Sequence, residues 1–122
     1  MRSAASHIRL DDMRFYAYHG VMEQERRVGG YYLVSLAVET DLTKAARTDD
    51  VADTINYAEL FELVKSEMAI PSKLLEHVAG RIGQHAMKRF ERIMALTVKV
   101  TKENPPMGAD CKGASVELTM TR

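Results

Sequence analysis

Four side chains have the type and position to support acid–base chemistry or ligand binding. Lys102 follows an alternating segment, residues 96–101, whose apolar side chains form one face of a predicted strand. Lys102 continues that alternation, and Pro105 and Pro106 then end the strand because prolines lack an N–H group. A lysine at such an inward strand end can carry protons with a lowered pKa. The alternative is a frayed strand end with a solvated Lys102.

The other three candidates lie at predicted helix starts or in a charged loop. Glu76 lies in a first helical turn, where a carboxylate either offsets the helix dipole or accepts two N–H groups from a guanidine-like ring edge. Tyr57 begins an earlier helix, and its ring either packs against the sheet or relays a proton through its phenol. Glu25 lies in a charged run and is either solvated or part of a site.

The sequence lacks the spacing of a metal centre, a phosphate loop or a catalytic nucleophile. His77 and His85 are too far apart on one predicted helix to bind a single ion. Gly29-Gly30 lacks the Lys-Ser/Thr of a phosphate loop, and no Ser-His-Asp or Cys-His signature occurs. The single cysteine, Cys111, has no histidine nearby and is interpreted as incidental. We therefore expect neither a metal nor a cofactor.

The composition predicts one domain, residues 1–122, and excludes several classes of partner. Lys and Arg total 17 and Asp and Glu total 17, without a basic stripe, so we expect neither nucleic acid nor a membrane surface as partner. No apolar run approaches the roughly 20 residues of a membrane span. Residues 1–6 lack the apolar core of a signal peptide. A single cysteine allows no internal disulfide, which predicts a cytoplasmic location.

The hydrophobic periodicity predicts two strands, two helices and two further strands. The first strand is expected to bulge at Asp11-Asp12, and Asn56 is expected to cap the first helix. The predicted elements are strands Ile8–Tyr18 and Tyr32–Leu42, a helix beginning after Asn56, a helix over Leu74–Phe90, and strands Leu96–Lys102 and Ala114–Met120. The segment between the first two strands is expected to be a loop. This order predicts an α+β fold, ββααββ, in which two helices cover one face of a four-stranded antiparallel sheet.

The uncovered face of that sheet is predicted to be polar. Two arrangements explain it equally well: a plain two-layer monomer or dimer, or a ring of sheets whose polar faces line a wet lumen. Closing a ring would also remove the exposed sheet edges. The residues of this polar face are Ser35, Ala37, Glu39, Thr97, Lys99, Thr101, Ser115, Glu117 and Thr119.

From Ile8 to Thr121, the chain resembles the bacterial dihydroneopterin aldolase family. Each matching segment is weak alone, but together they occur in the expected order and at the expected separations. The segments are Phe15–Val21, Glu25–Arg26, Asp41–Leu42, Asp49–Tyr57, Leu74–His77 and Thr101–Pro106. The resemblance implies the tunnelling fold, a ββααββ unit, assembled as a tetrameric ring and commonly as an octamer, with active sites between subunits.

The resemblance also implies the reaction. The substrate would be 7,8-dihydroneopterin, cleaved by a retro-aldol step to 6-hydroxymethyl-7,8-dihydropterin and glycolaldehyde in folate biosynthesis. The substrate ring already holds a C=N bond beside the reacting carbon. That bond serves as the electron sink that other aldolases make with a lysine Schiff base or zinc, so neither is expected here.

The resemblance assigns a role to each candidate. Glu76 would bind the 2-amino and N3–H edge of the pterin, and Leu75 would contribute its backbone. Lys102 would be the general acid/base that serves the ring nitrogen through a water molecule, with Glu25 as partner of Lys102 and of the side-chain hydroxyls. Tyr57, from the neighbouring subunit, would relay a proton to C1′. The backbones of Thr54 and Ile55 would contact the ring.

Two segments depart from the family pattern. Gly29-Gly30-Tyr31 replaces a Gly-Gln-aromatic step, and the segment Met107–Lys112 is unlike the family's pocket rim. Three alternatives stay open on the sequence. An epimerase of the same fold, acting on dihydroneopterin or its triphosphate, would use basic residues such as Arg26 and Arg27. A non-catalytic pterin-binding ring is the second. A zinc-dependent enzyme of the same fold is the third, and it is disfavoured because clustered histidines are lacking.

Overall fold

A computed structural model describes residues 5–108 and 110–122; Met1–Ala4 and Ala109 lie outside the described residues. The N-terminal segment, residues 1–6, and the rim segment Met107–Lys112 are therefore described only in part. The elements are β1 (His7–Ala17), α1 (Glu23–Val28), β2 (Gly30–Glu39), α2 (Thr43–Thr48), a 3-10 turn (Val51–Asp53), α3 (Tyr57–Met68), α4 (Leu75–Arg89), β3 (Ala95–Glu103) and β4 (Gly113–Thr121).

The four strands form one antiparallel sheet in the order β1-β2-β3-β4. Alternate residues of β2 and β3 form its buried face, which α3 and α4 cover. Burying this apolar face is the main favourable term in folding, and it explains why alternation along the sequence locates the strands. The predicted α+β fold is thereby confirmed. The buried residues of the two central strands are Tyr32, Val34, Leu36, Val38, Leu96, Val98 and Val100.

The predicted bulge in β1 is confirmed. The register with β2 shifts between Leu10 and Met13, and Asp12 takes a positive φ of 51°. The Asp12 N–H donates to Ser35 Oγ at 2.9 Å. This bond satisfies a backbone donor that the interrupted ladder leaves unpaired.

The two long helices are antiparallel, and this fixes which of their ends meet. Asn56 caps α3 as predicted, because its side chain accepts the Ala58 N–H at 2.9 Å. Near the other end of α3, the Arg81 guanidinium pairs with Glu67 at 2.9 Å. The start of α4 therefore lies beside the end of α3. With a rise of about 1.5 Å per residue, the 15 residues of α4 separate its two ends by about 22 Å.

Two predictions about the connecting segments are wrong. The segment predicted as a loop between the first strands contains α1, in which acids in the first turn and arginines in the last turn both suit the helix dipole. The second strand ends at Glu39, not Leu42, because Asp41 accepts the Thr43 N–H at 2.9 Å and turns the chain into α2.

The uncovered face of the sheet carries paired hydroxyl groups. Thr97 and Thr119 share a hydrogen bond of 3.0 Å, and Thr101 and Ser115 share one of 2.8 Å across β3 and β4. No helix among residues 5–108 and 110–122 is long and apolar enough to cross a membrane.

Candidate active site

Lys102 lies at the end of the buried face of β3, opposite Tyr32 of β2. The strand continues to Glu103, and the Lys102 side chain is only 15% exposed, so the alternative of a frayed and solvated lysine is wrong. Its Nζ donates a charge-assisted hydrogen bond to Glu25 Oε2 and a second bond to the His19 carbonyl at 3.3 Å. Lys102 and Glu25 therefore form a largely buried ion pair.

The pKa of Lys102 is raised, contrary to the lowered pKa expected from a buried lysine. Burial is the largest effect and by itself lowers this pKa, but hydrogen bonding to Glu25 and further contributions from Tyr32 outweigh it. The pKa of Glu25 is lowered, chiefly by the hydrogen bond from Lys102. Both partners are thus charged at neutral pH, and Lys102 is poised as a proton donor.

Gly20 and helix α1 hold Glu25 against the lysine. Glu25 is the third residue of α1, and its Oε1 accepts the Met22 N–H at 3.2 Å while Oε2 faces Lys102. A Cβ at Gly20 would lie 2.4 Å from Glu25 Cβ and 2.6 Å from its Cδ. Because such distances are impossible, Glu25 can occupy this place only while residue 20 is glycine.

His19 links the lysine to the loop before α4. Its ring is fully buried, and Nδ1 accepts the Ser72 N–H at 3.0 Å. Its carbonyl accepts the Tyr32 hydroxyl at 2.6 Å as well as the Lys102 ammonium. Burial, followed by the nearby positive charges of Arg81 and Lys102, lowers the pKa of His19 to about 4. His19 is therefore neutral, and its ring can accept the backbone bond.

The role of this histidine is hard to predict from the sequence. Spacing between histidines tests for a metal site, and His19 has no partner at such a spacing. The available signal is its position two residues after β1 and directly before Gly20, at the junction of a strand and a charged segment. A buried histidine there can tie two backbone segments together.

The start of α4 lies at the same end of the folded molecule as Lys102. Besides the His19 contact, the Gly20 N–H donates to the Ser72 carbonyl at 2.9 Å. Leu75 and Glu76 form the first turn of α4, and no side chain caps that turn among the described residues. Leu75 is half-buried and Glu76 is exposed. We call the four residues Glu25, Leu75, Glu76 and Lys102 the lysine cluster.

The remaining predicted residues lie at the opposite end of the helices. Thr54 and Ile55 line a cavity of about 510 Å³ together with residues just beyond the end of α4. Arg92 fixes this region by donating to the Ala52 carbonyl at 2.8 Å. Tyr57, at the start of α3, is 64% exposed, so the alternative that it packs against the sheet is wrong. We call Thr54, Ile55 and Tyr57 the tyrosine cluster.

One chain does not bring the two clusters together. The lysine cluster lies at the start of α4 and the tyrosine cluster beside its end, and the helix separates these ends by about 22 Å. Beside Lys102 and Glu25 there is a cavity of about 310 Å³, at the lower end of the range for small-molecule sites. The phenol of Tyr57 cannot reach this cavity within its own chain.

Comparisons with known proteins agree on one family. The model of the FolB dihydroneopterin aldolase family matches residues 8–119. The chain is 42% identical over 110 residues to dihydroneopterin aldolase of Staphylococcus epidermidis ATCC 35984, covering 89% of this chain and 91% of that protein. It is 40% identical over 111 residues to the Bacillus subtilis 168 enzyme of the same name, covering 90% and 92%.

A solved structure shows the same fold. The crystal structure of Escherichia coli dihydroneopterin aldolase in complex with neopterin superposes with a TM-score of 0.82 and 24% sequence identity, covering 93% of this chain and 98% of that one.

Proposed function

This chain belongs to the dihydroneopterin aldolase family, and from that premise we propose that it cleaves 7,8-dihydroneopterin in a site shared by two subunits. It is a carbon–carbon lyase of folate biosynthesis, and the comparisons do not favour the epimerase. The observation that carries the proposal is the buried Lys102–Glu25 pair, beside a cavity and far from Tyr57 of the same chain.

The lysine cluster serves the electron-accepting side of the reaction. Loss of the 2′-hydroxyl proton breaks the C1′–C2′ bond, releases glycolaldehyde and sends the bonding electrons into the ring C=N bond. The ring nitrogen then gains charge and takes a proton, which Lys102 supplies through a water molecule. Its raised pKa suits this role, because the group is protonated when the charge develops. Glu25 holds the ammonium and faces the substrate hydroxyls.

Glu76 anchors the pterin. A carboxylate in the first turn of α4 can accept both N–H groups of the 2-amino and N3 edge in a bidentate contact. The uncapped Leu75 N–H can donate to the ring beside it. The exposure of Glu76 in the single chain leaves its carboxylate free to bind a ligand. The E. coli relative was crystallised with neopterin, which supports a pterin as the ligand here.

The tyrosine cluster completes the site from a neighbouring subunit. After cleavage, C1′ takes up the proton that the 2′-hydroxyl lost, and the exposed phenol of Tyr57 can relay it. The ring nitrogen then returns its proton to Lys102, which restores the C=N bond and leaves no net change in protons. The Thr54 and Ile55 backbones then face the ring. Sheets joined through their free β1 and β4 edges would form a tetrameric ring, which stacks into an octamer, with the hydroxyl-rich face toward the lumen. The single cysteine supports a cytoplasmic location.

The test compares two lysines on the same strand. Lys102→Ala is expected to lower turnover of 7,8-dihydroneopterin by about two to four orders of magnitude, as for a lost acid/base group, with pterin binding largely kept. Lys99→Ala, on the opposite face of β3, is the matched control and should behave as wild type. Release of glycolaldehyde and of 6-hydroxymethyl-7,8-dihydropterin measures the rate. Unchanged turnover in Lys102→Ala would remove Lys102 from the mechanism.

A further inference from the structure

A third cavity lies at the start of α4 and is lined by basic side chains. Its volume is about 470 Å³, and its wall consists of Arg26, Pro71, Ser72, Lys73, Leu74 and His77. Two of these side chains are positively charged, and a third, His77, becomes so when protonated. Within residues 5–108 and 110–122, no carboxylate lines the cavity, and none of the three basic groups forms an ion pair.

The positive charge is local to this cavity. The chain as a whole carries 17 basic and 17 acidic residues, so an acid-free pocket with three basic groups is not a consequence of a basic composition. Arg26 Nη1 donates to the carbonyls of Gly20 and Val21, each at 2.7 Å. These neutral acceptors fix the guanidinium in place without cancelling its charge, and its other N–H groups stay available as donors.

The cavity is lined by residues that neighbour the lysine cluster in the sequence. Arg26 follows Glu25 on α1, Leu74 directly precedes α4, and His77 follows Glu76 in the first turn of α4. Gly20, which accepts from Arg26, also donates to Ser72 in the cavity wall. A ligand held by Glu76 and Lys102 can therefore extend a charged group toward Arg26 and Lys73.

We propose that this basic cavity binds the phosphate of a pterin whose side chain ends in a phosphate ester, such as 7,8-dihydroneopterin 3′-phosphate. Arginine offers a planar fork of donors and lysine a point charge, and both are common phosphate ligands. The inference rests on the proposed function, because Glu76 and Lys102 place the pterin. The same C1′–C2′ bond breaks, and the phosphate stays on the released fragment, which leaves as glycolaldehyde phosphate. No additional reactant is needed.

The experiment compares the ester with unphosphorylated 7,8-dihydroneopterin. For each pterin, kcat/KM is measured in the wild type, in Lys73→Ala and in the control Lys65→Ala, whose lysine is exposed on α3 away from the cavity. Loss of one charged contact should lower the ratio of ester to unphosphorylated kcat/KM about tenfold or more in Lys73→Ala. Lys65→Ala should keep the wild-type ratio. An unchanged ratio in Lys73→Ala would overturn the proposal.

Two further measurements separate the possible failures. Calorimetric titration with both pterins gives the ratio of their affinities. This ratio should change in the same way, so it tests the phosphate site even if neither pterin is cleaved. Cleavage of the unphosphorylated pterin with no preference for the ester would overturn this inference and leave the proposed function intact. Inorganic phosphate should compete with the ester. Binding of inorganic phosphate that leaves the affinity for the ester unchanged would mark the cavity as a site for free anions and overturn the proposal.

Discussion

Replacing Glu25 by glutamine removes the charge that keeps Lys102 protonated. In the wild type, burial of the ammonium lowers its pKa, and the bond to Glu25 together with Tyr32 more than offsets that effect. Glutamine retains the size of the side chain and a carbonyl acceptor but not the negative charge. The pKa of Lys102 should therefore fall in Glu25→Gln, because burial remains while the main opposing interaction weakens.

The size of the effect follows from the burial of the pair. Lys102 and Glu25 expose 15% and 16% of their side chains, so solvent screens the interaction only weakly. A hydrogen bond between charged groups contributes about 1.5–3 kcal/mol. Its loss should lower the ratio of ammonium to amine at Lys102 about ten- to a hundredfold at any given pH. Because the wild-type pKa is raised, the pair also stabilises the fold at neutral pH, and that stabilisation is lost as the pH rises through the titration of Lys102.

The assay is the pH dependence of kcat/KM, which reports groups of the free enzyme. The decline at high pH should begin at lower pH in Glu25→Gln than in the wild type. Glu23→Gln, an exposed position on the same helix, is the control and should keep the wild-type profile. The pH at which the decline begins is decisive, and the height of the profile is not. Glu25 also faces the substrate, so its loss lowers kcat/KM at every pH. If kcat/KM declines at the same high pH in Glu25→Gln and in the wild type, the idea that Glu25 sets the protonation of Lys102 is refuted.

Two other substitutions test how the site is built, and a third, Gly80→Ala, serves as a control. Glu76→Gln should weaken pterin binding by about 1.5–3 kcal/mol, because the amide loses the charge of a bidentate acceptor; equal affinity in a calorimetric titration would remove the anchor role. Gly20→Ala should lower kcat sharply, because its Cβ would lie 2.4 Å from that of Glu25 and displace the carboxylate from Lys102. Gly80→Ala, with open space at its Cβ in α4, should instead raise the free energy of unfolding by about 0.5–1 kcal/mol and keep activity. Wild-type turnover in Gly20→Ala would show that catalysis does not require the Glu25 carboxylate to lie against Lys102.

Features with a local cause could be predicted from the sequence. Alternation along β3 placed Lys102 on the buried face, because successive residues of a strand point to opposite sides. Asn56 followed by Glu59 three residues later predicts a helix cap, and the Asn56 side chain does accept the Ala58 N–H. The Asp11-Asp12 interruption in β1 was also visible, since charged residues break an apolar alternation.

Features with a distant cause could not be predicted in this way. The raised pKa of Lys102 depends on Glu25, which lies 77 residues away in the sequence. His19 acquires its role from Ser72, 53 residues away. Helix α1 has six residues and no buried side chain, so it lacks the apolar periodicity that reveals longer helices.

Mixing two impaired variants tests most directly whether the site is shared between subunits. Tyr57→Phe damages only the tyrosine cluster and Lys102→Ala only the lysine cluster, and the two are dissociated, combined in equal amounts and reassembled. Random assembly leaves about a quarter of the shared sites with both clusters intact, so aldolase activity should recover to about a quarter of the wild-type value. Lys102→Ala mixed with Glu76→Ala, both in one cluster, should show no recovery. If the Tyr57→Phe and Lys102→Ala mixture stays as inactive as its separate components, the two-subunit site is contradicted.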